Sequence, residues 1–508
     1  MAIANFFDKI AFGASQILQQ FSVKEFEKLL LSHNIKINFS KKTALNKEGK
    51  ILLELLARLL SRLYPNLEFN CIDDQNNQYG EELVSICKSI NPAINFTTKD
   101  ATIEVNVGAM DSYESPAQKF YLGSDEWLGS LSQSKPLTCN DSNNPFGAGF
   151  AACIGAANVF RTVFKKQLPF TELDQQIVFS VFDYSINESS NQGPRLHNIH
   201  FNDTILVGLG AIGNAVIWTL NHLDLSGGLT LVDHEIIEIS NLQRYIITSQ
   251  KDIGKYKVDI AKKYLSKKIN IDTHCIDWQE YLKSRQNWKM HIVGVAVDSA
   301  QARILIQSSL PRKVINSWTQ MEQLGISRHY DFTKDACLAC LYLPTSPRKS
   351  LSEEIAENLN LVPFERTVIR QYLAEKKPID DQLLQLVSQY NKIAIEEISF
   401  YKGALLEKFH SEVVCGGILM KLTGSTVKTE LVHVPSAFES VLAGIFLASE
   451  LVIDAENLMR EKIPNITKLN LMRPITKYTT ESAAKHASKK CICQDIFFMN
   501  AYKQKYNV

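Results

Sequence analysis

An α/β fold built around a nucleotide-binding βαβ unit is predicted from three features of this 508-residue chain. The apolar run Ile205, Leu206, Val207 ends in Gly208-Leu209-Gly210-Ala211-Ile212-Gly213 and opens a helical pattern through Trp218 and Leu220, the strand, tight turn and helix of such a unit. A second run, Leu229 to Val232, ends in Asp233, about 20 residues past the glycines, where a carboxylate can accept both ribose hydroxyls. A third, through Val293, Val295 and Val297, delivers Asp298 at a strand end, with Arg303 on the helix that follows.

Each element has a physical reason. Gly208, Gly210 and Gly213 let the backbone approach phosphate at a helix N-terminus, whose free N–H groups and dipole favour an anion. Taken alone, this turn with its following Asp fits a nicotinamide-dependent oxidoreductase equally well. The next segment separates the two readings. Asn241-Leu242-Gln243-Arg244, then Lys257 reached through Gly254-Lys255-Tyr256, adds two cations and an amide donor just past the ribose carboxylate. A dinucleotide needs none of them. A triphosphate does, because it carries about four negative charges and its α-phosphate gains electron density under attack. Asp298, a lone carboxylate beside a nucleotide, suits magnesium, which keeps most of its waters and shares the phosphates. Any one of these residues by itself reads as solvated surface; their order carries the argument.

These motifs resemble the superfamily of ubiquitin-activating enzymes and their bacterial relatives in molybdopterin and thiamine synthesis, the ThiF-type adenylyltransferases. The resemblance implies that the glycine turn binds ATP, that Asp233 holds the ribose, and that Asn241, Arg244 and Lys257 contact the phosphates while Asp298 positions Mg2+. It further implies that the C-terminal glycine carboxylate of a ubiquitin-like protein attacks the α-phosphate and releases pyrophosphate. The acyl group then passes to a cysteine and on to a conjugating enzyme.

The chain has 10 Cys, no secretory h-region and no apolar run long enough to cross a bilayer, so a reducing cytoplasm is expected. Cys337-Leu338-Ala339-Cys340 and Cys491-Ile492-Cys493 together supply the four thiolates of a structural Zn2+ site. The second pair is CxC where relatives carry CxxC, which leaves a redox pair or unliganded thiols as alternatives. Closed by zinc, the loop of about 150 residues offsets roughly 4 kcal/mol of closure entropy. Cys415, in Val413-Val414-Cys415-Gly416-Gly417, is the candidate thioester cysteine, with His410 as an activating neighbour. A small buried residue at a helix start is the competing reading, and Cys275 reads as buried in the same way.

Within an expected insertion at about 346–432, residues from about Ser346 to His410 read as helices, with apolar spacing at Leu383, Leu384, Leu386 and Val387. An insertion there resembles the helical half-domain that carries the thioester cysteine in ubiquitin-activating enzymes, although an insert can also serve packing alone. The run from Pro435 to Val452 resembles the family's central, small-residue helix.

Residues 1–195 contain no phosphate turn but keep α/β traits, with strands at Leu67 to Cys71 and Ile103 to Val107 and a helix at Ile51 to Leu63. Asn144-Pro145-Phe146-Gly147-Ala148-Gly149 leads into a small-residue helix. By resemblance this half is a degenerate adenylation domain, as in the activating enzymes of bacterial ubiquitin-like conjugation operons of antiviral defence. The expected architecture is two Rossmann-like ThiF-type domains, 1–195 inactive and 196–508 active, divided at the polar stretch Asn187 to Pro194. Compact relatives reach an arginine across a dimer; here Arg161 or another basic residue of the first half takes that role in cis, and a homodimer is also compatible.

The net charge of +1, with both signs interspersed, leaves no nucleic-acid footprint and no polybasic membrane patch. Three functions remain. The first is a ubiquitin-like-protein activating enzyme with a cysteine relay. The second is an adenylyltransferase for a sulfur carrier, peptide or small carboxylate without that relay, and the third is a non-catalytic scaffold with a vestigial nucleotide site.

Overall fold

The apolar runs of the two halves are short and bounded by turn residues, and each half assembles them into one sheet. The computed structural model describes residues 4–74, 77–96, 99–111, 113–265, 268–320, 323–344, 350–361, 366–410, 413 and 434–508. The first half runs α1 (Phe7–Ile17), α2 (Val23–Ser32), β1 (Ile35–Phe39), α3 (Lys41–Leu45), α4 (Lys47–Leu60), β2 (Asn66–Cys71), α5 (Gln78–Ile90) and β3 (Asn95–Phe96). It continues with β4 (Ile103–Val107), β5 (Gln118–Asp125), β6 (Leu128–Ser132), α6 (Phe146–Val163) and β7 (Gln176–Ser180). Its sheet has the order β3-β2-β1-β4-β5-β6-β7, parallel through β5 and antiparallel at β6 and β7.

The second half repeats this plan. It runs β8 (Ile199–Val207), α7 (Ala211–Asn221), β9 (Leu225–Val232), α8 (Lys257–Leu265), β10 (Asn270–His274), α9 (Trp278–Ser284), β11 (Ile292–Val295), α10 (Ala300–Ser308), β12 (Lys313–Gln320), β13 (Gln323–His329) and α11 (Leu338–Tyr342). The strand order is β10-β9-β8-β11-β12-β13-β14-β15, with β14 at Ile466–Leu469 and β15 at Thr480–Glu481. Parallel pairing again holds for the first five strands, so the first strand of each half sits at a topological switch point beside the fourth.

Between β13 and β14 the chain makes α12 (Leu351–Asn358), α13 (Arg366–Ala374), α14 (Asp381–Asn391), α15 (Leu406–His410) and α16 (Ala437–Ala455), and the chain closes with α17 (Ile496–Tyr506). Helices α12 to α15 share a small apolar core of their own, in which Leu383, Leu384 and Val387 are buried together with Phe409 and Val413. Leu386, expected on that face, is only partly buried against it.

Where the first half has α6 between its sixth and seventh strands, the second has α16, and the two helices pack on each other. Small residues permit the approach: a side chain on Gly149 of α6 would meet Ile445 of α16 at 2.7 Å, and α16 also packs on α7, where a side chain on Gly444 would meet the Ile212 carbonyl at 2.5 Å. Phe179 stacks on Phe446 with 5.9 Å between ring centres. Contrary to the expectation that no run could cross a bilayer, α6 is long and apolar enough to do so by composition. It is 94% buried within the molecule, so its apolar character is that of a core helix covered on all sides.

One buried charge cluster joins the halves. Tyr184 Oη and Tyr330 Oη donate to Glu450 on α16 at 2.7 and 3.1 Å, while Arg328 and Arg460 pair with the same carboxylate at 2.8 and 2.5 Å. Burial alone would push Glu450 up, but the two guanidinium groups outweigh it and hold it at about 2. The stability this confers is therefore present above the ordinary glutamate value of 4.5 and is lost as pH falls through about 2. Replacing Glu450 with Gln strands two buried cations, and about 3–5 kcal/mol of stability is expected to go with it. Urea titrations from pH 5 down to 2 check this: the variant should show a shallower acid limb than wild type, since Asp380, Asp454 and other lowered carboxylates keep their share, and parallel profiles would refute the assignment.

Candidate nucleotide site

The sequence places glycine after β8 because the chain must turn there against its neighbour. Gly208 has φ +90°, and a Cβ at that position would lie 2.6 Å from the Ala296 carbonyl at the end of β11. The glycine turn and the Asp298 loop are thus side by side at the carboxyl edge of the sheet. Gly208 N donates to Val232 O at 3.0 Å, which ties the turn to the end of β9 as well. Beyond it, Gly210 caps α7, whose N-terminus opens toward the same edge.

Asp233 is buried and already organised by the backbone. Its Oδ2 accepts Leu209 N at 2.6 Å and its Oδ1 accepts Glu235 N at 2.8 Å. The carboxylate is thereby locked to the glycine turn, each oxygen keeping a lone pair for a further donor. Cys275 does not follow its expected burial: it is exposed at the end of β10, with its thiol 4.0 Å from the His234 carbonyl, because β10 is the edge strand of the sheet.

Residues between Asp233 and Lys257 form a strap over this edge. Ile237 and Lys255 exchange one backbone bond and Gly254 returns to Ile237, each at 2.8 Å, so the strap is closed at its base. At its tip Ile239–Gln243 make a single 3-10 turn in which Asn241 Oδ1 accepts Glu238 N at 2.9 Å. Any phosphate contact by Asn241 therefore falls to its amide nitrogen. Arg244 is half-buried and donates to Gln243 Oε1 at 3.1 Å, and Gln243 in turn donates to Pro435 O at 3.2 Å ahead of α16.

Lys257 opens α8 with its ammonium buried, paired with Glu235 and 5.1 Å from the centre of the Tyr245 ring. Burial works against its charge, but Tyr245, Asp233 and Glu235 outweigh burial and raise it above the ordinary lysine value. Glu235 is pushed up by burial and down, more strongly in sum, by Lys257 and its neighbours. Tyr245 also brings its hydroxyl 3.5 Å from the point where a Cβ on Gly210 would stand. Sequence reasoning passed over Tyr245 and Glu235; the one available signal for Tyr245 is its place directly after Arg244.

Asp298 is exposed at the same edge. Arg303 does not extend toward the glycine turn. It is buried on α10, donates to the Val297 and Asp298 carbonyls and, at 3.0 Å, to Asn316 Oδ1, and lies 4.7 Å from the Tyr342 ring, so it shapes the loop that presents Asp298. Arg161 is likewise withdrawn from any role at the nucleotide. It is 1% exposed on α6, paired with Asp174 and bonded to Asn158 at 2.7 Å, because the small-residue helix that carries it is wholly interior. Cys415 lies outside the described residues. His410, its expected neighbour, is held through Nε2 and Asn358 Nδ2 at 3.0 Å on the helical insertion, and burial lowers it.

The four cysteines Cys337, Cys340, Cys491 and Cys493 come together, all buried, with their sulfurs within 4.8 Å of one another. The separations Cys337–Cys491, Cys340–Cys491 and Cys340–Cys493 are 3.5, 3.3 and 3.4 Å. Thiolates around zinc at the usual bond length stand about 3.8 Å apart. Four convergent sulfurs, with His486 N donating to Cys340 Sγ at 3.4 Å, therefore fit a tetrahedral ion, and the CxC pair reaches the same corner geometry by entering a 3-10 turn at Cys491.

The first half has a counterpart to the glycine turn with a different outcome. Phe39 ends β1 opposite Val107 of β4, as Val207 ends β8 opposite Val295 of β11. Lys41 N donates to Asp73 at 2.6 Å, as Leu209 N does to Asp233. Ser40 stands where the second half has Gly208, its hydroxyl 3.0 Å from that of Thr43, and Thr43 packs over Gly108, where a Cβ would collide with its hydroxyl.

Known proteins share parts of this chain. A model of the ThiF family matches residues 184–491, and a model described as Prokaryotic E2 family C matches residues 38–165. Over 510 aligned residues the chain is 36% identical to the uncharacterized protein y4jF of Sinorhizobium fredii, covering 100% of this chain and 98% of that one. It is 28% identical over 139 residues to a NEDD8-activating enzyme E1 catalytic subunit of Dictyostelium discoideum, covering 26% of this chain and 30% of that protein. An adenylyltransferase and sulfurtransferase of Scheffersomyces stipitis is 30% identical over 147 residues, covering 27% and 32%. The chain thus spans about a third of the length of each of these two enzymes. Among solved structures, E. coli MccB aligns with 41% of this chain and 57% of its own at 18% identity and a TM-score of 0.26.

Proposed function

Because the chain belongs to the ThiF family, whose model matches more than half of it, we propose that it activates the C-terminal carboxylate of a ubiquitin-like protein by adenylation and carries the product as a thioester on Cys415. ATP-dependent adenylation is the chemistry of the family's named relatives. The observation that carries the reading is the convergence of the glycine turn, Asp233, the strap with Asn241 and Arg244, and Lys257 on one sheet edge beside Asp298.

In this reading Asp233 takes the ribose hydroxyls and Arg244 and Lys257 neutralise the phosphates. Mg2+ on Asp298, when bound, would help draw charge from the leaving pyrophosphate. The carrier's carboxylate oxygen bonds to the α-phosphorus as the bond to the bridging oxygen of pyrophosphate breaks. The Cys415 thiolate then attacks the acyl carbon, releasing AMP. An arrangement of cations around developing phosphate charge supplies transition-state stabilisation that a dinucleotide site does not need.

We further read residues 1–195 as a degenerate adenylation domain. The shared strand order, the matching Lys41–Asp73 bond and Ser40 in the place of Gly208 support it. The likeness of 38–165 to a prokaryotic E2 family raises the question of a second acyl carrier in this half. Its thiols oppose that: burial pushes Cys71 up to about 11, Cys87 and Cys139 up to about 12, and Cys153 well above its ordinary value.

The test is ATP–pyrophosphate exchange with ubiquitin-like proteins ending in glycine, followed by non-reducing gels of wild type and Cys415→Ala. Exchange by both, with a thiol-labile adduct in wild type alone, is expected. Exchange without any adduct would move the enzyme to the class that adenylates without a cysteine relay. No exchange with any carrier would leave a scaffold.

A further inference from the structure

The strap that carries Asn241 and Arg244 is closed at its base by its own half, but its far side lies on the first half. Arg62, just beyond α4 and 1% exposed, is the centre of that contact. Its Nη2 donates to the carbonyls of Tyr245 at 2.6 Å, Ile246 at 3.2 Å and Thr248 at 3.0 Å, and its Nη1 to Arg58 O at 2.5 Å. Arg58 adds a bond to Ile246 O at 3.2 Å and is itself held by Glu54 at 2.8 Å. Gln250 completes the seam by donating to Ile90 O at 2.7 Å and pairing with Asn5.

Tyr245 O also accepts Thr248 N at 3.2 Å and Thr248 Oγ1 at 2.8 Å, and Ile246 O is shared with Arg58, so Arg62 adds to a set of carbonyls past the end of a 3-10 turn that would be costly to bury unpaired. A planar guanidinium can reach several at once, which a lysine ammonium on a flexible stem cannot do in fixed geometry. Burial and the neighbouring Arg58 cation both work against the charge on Arg62, and the carbonyl dipoles it donates to help offset that cost.

What Arg62 holds is the backbone of Tyr245. The ring of that residue lies against Lys257, its hydroxyl stands by Gly210, and Arg244 precedes it. We propose that Arg62 is a positioning residue through which the first half fixes the phosphate-binding strap of the second, so that the nucleotide site is incomplete without the half that has none of its own. This rests on the reading of Asn241, Arg244 and Lys257 as phosphate ligands.

The experiment uses the full chain in three variants, Arg62→Gln, Arg62→Lys and Arg161→Gln. Arg161 is the control, equally buried in the same half but paired with Asp174 and without contact to the strap. Two quantities are read at a temperature where circular dichroism shows each variant folded: amide hydrogen exchange over residues 241–252 without nucleotide, and the dissociation constant of Mg-ATP. In Arg62→Gln the strap amides should exchange roughly tenfold faster or more. Mg-ATP should bind roughly 10- to 100-fold more weakly, the scale of one lost charge-assisted bond. Arg62→Lys should show the same effects in smaller measure, and serves in place of the glutamine variant if that does not fold. Arg161→Gln should show neither.

Unchanged strap exchange in both Arg62 variants overturns the proposal, as does equal acceleration in Arg161→Gln, which would mean general loosening. Wild type that fails to bind Mg-ATP would refute the adenylation reading, and strap exchange would then still decide whether Arg62 fastens the segment.

Discussion

Lys257→Met should lower the rate of ATP–pyrophosphate exchange about 10²- to 10³-fold, the effect of removing one preorganised charge from a developing phosphate. The size follows from where the ammonium sits. It is buried, held charged by Tyr245, Asp233 and Glu235 against the effect of burial, and lies 5.1 Å from the centre of the ring of Tyr245, whose hydroxyl stands by Gly210 of the glycine turn. Stability should change far less. Its partner Glu235 is 58% exposed, so removing the lysine leaves that carboxylate to water and strands no buried charge on it. The contrast between a large kinetic loss and a modest melting shift is the diagnostic feature. A variant that exchanges pyrophosphate at near wild-type rate would show that Lys257 holds the strap and does not meet the triphosphate.

Stripping the four-cysteine site should have the opposite signature, a large loss of stability. Cys337 and Cys340 begin a short helix after β13, while Cys491 and Cys493 sit in the turn before α17, so an ion there joins segments about 150 residues apart. Closing such a loop is worth roughly 4 kcal/mol by chain entropy alone, and a structural zinc binds with apparent energies of about 10–16 kcal/mol in small domains. Metal analysis of the purified protein should find one zinc per chain. Cys340→Ser, or prolonged chelation under denaturant, should lower the melting temperature by several degrees or more and release α17 to proteolysis. Tyr502 and Tyr506 of that helix bond to carbonyls at Arg312, Met290 and Leu310, so the helix has anchors besides the metal and the rest of the sheet should remain folded. A metal-free protein with unchanged melting would leave the four sulfurs as a packed thiol cluster.

These two sites differ in how much of them could be read beforehand. The glycine turn, Asp233 and Asp298 were legible because each follows a strand in the chain itself, and the strand, turn and helix are built from neighbouring residues. The cysteine cluster was legible for another reason: ligand spacing leaves few alternatives once four thiols are present. The helical insertion also matched expectation in type, since the apolar spacing of Leu383, Leu384 and Val387 is local and does bury one face. Arg161 shows the limit of that approach. As a lone basic residue on an apolar helix it looked available, but α6 is enclosed on every side and Asp174, which takes its charge, stands in no local pattern with it.

From residue order alone came the strand, glycine turn and helix of the second half, the expectation of cations beside it, the four-cysteine set and the α/β class, because all depend on short-range periodicity or on the chemistry of residues spaced along one chain. Tertiary structure alone decided that two sheets share one strand order, that Thr43 packs over Gly108 in the first half, that the Tyr245 ring lies against Lys257, and that Arg62 reaches across from the first half. Those features depend on contacts between residues as many as 186 positions apart. No local propensity encodes them, since an arginine in the run LLARLLSRLY looks the same whether it ends in water or against three carbonyls of another domain.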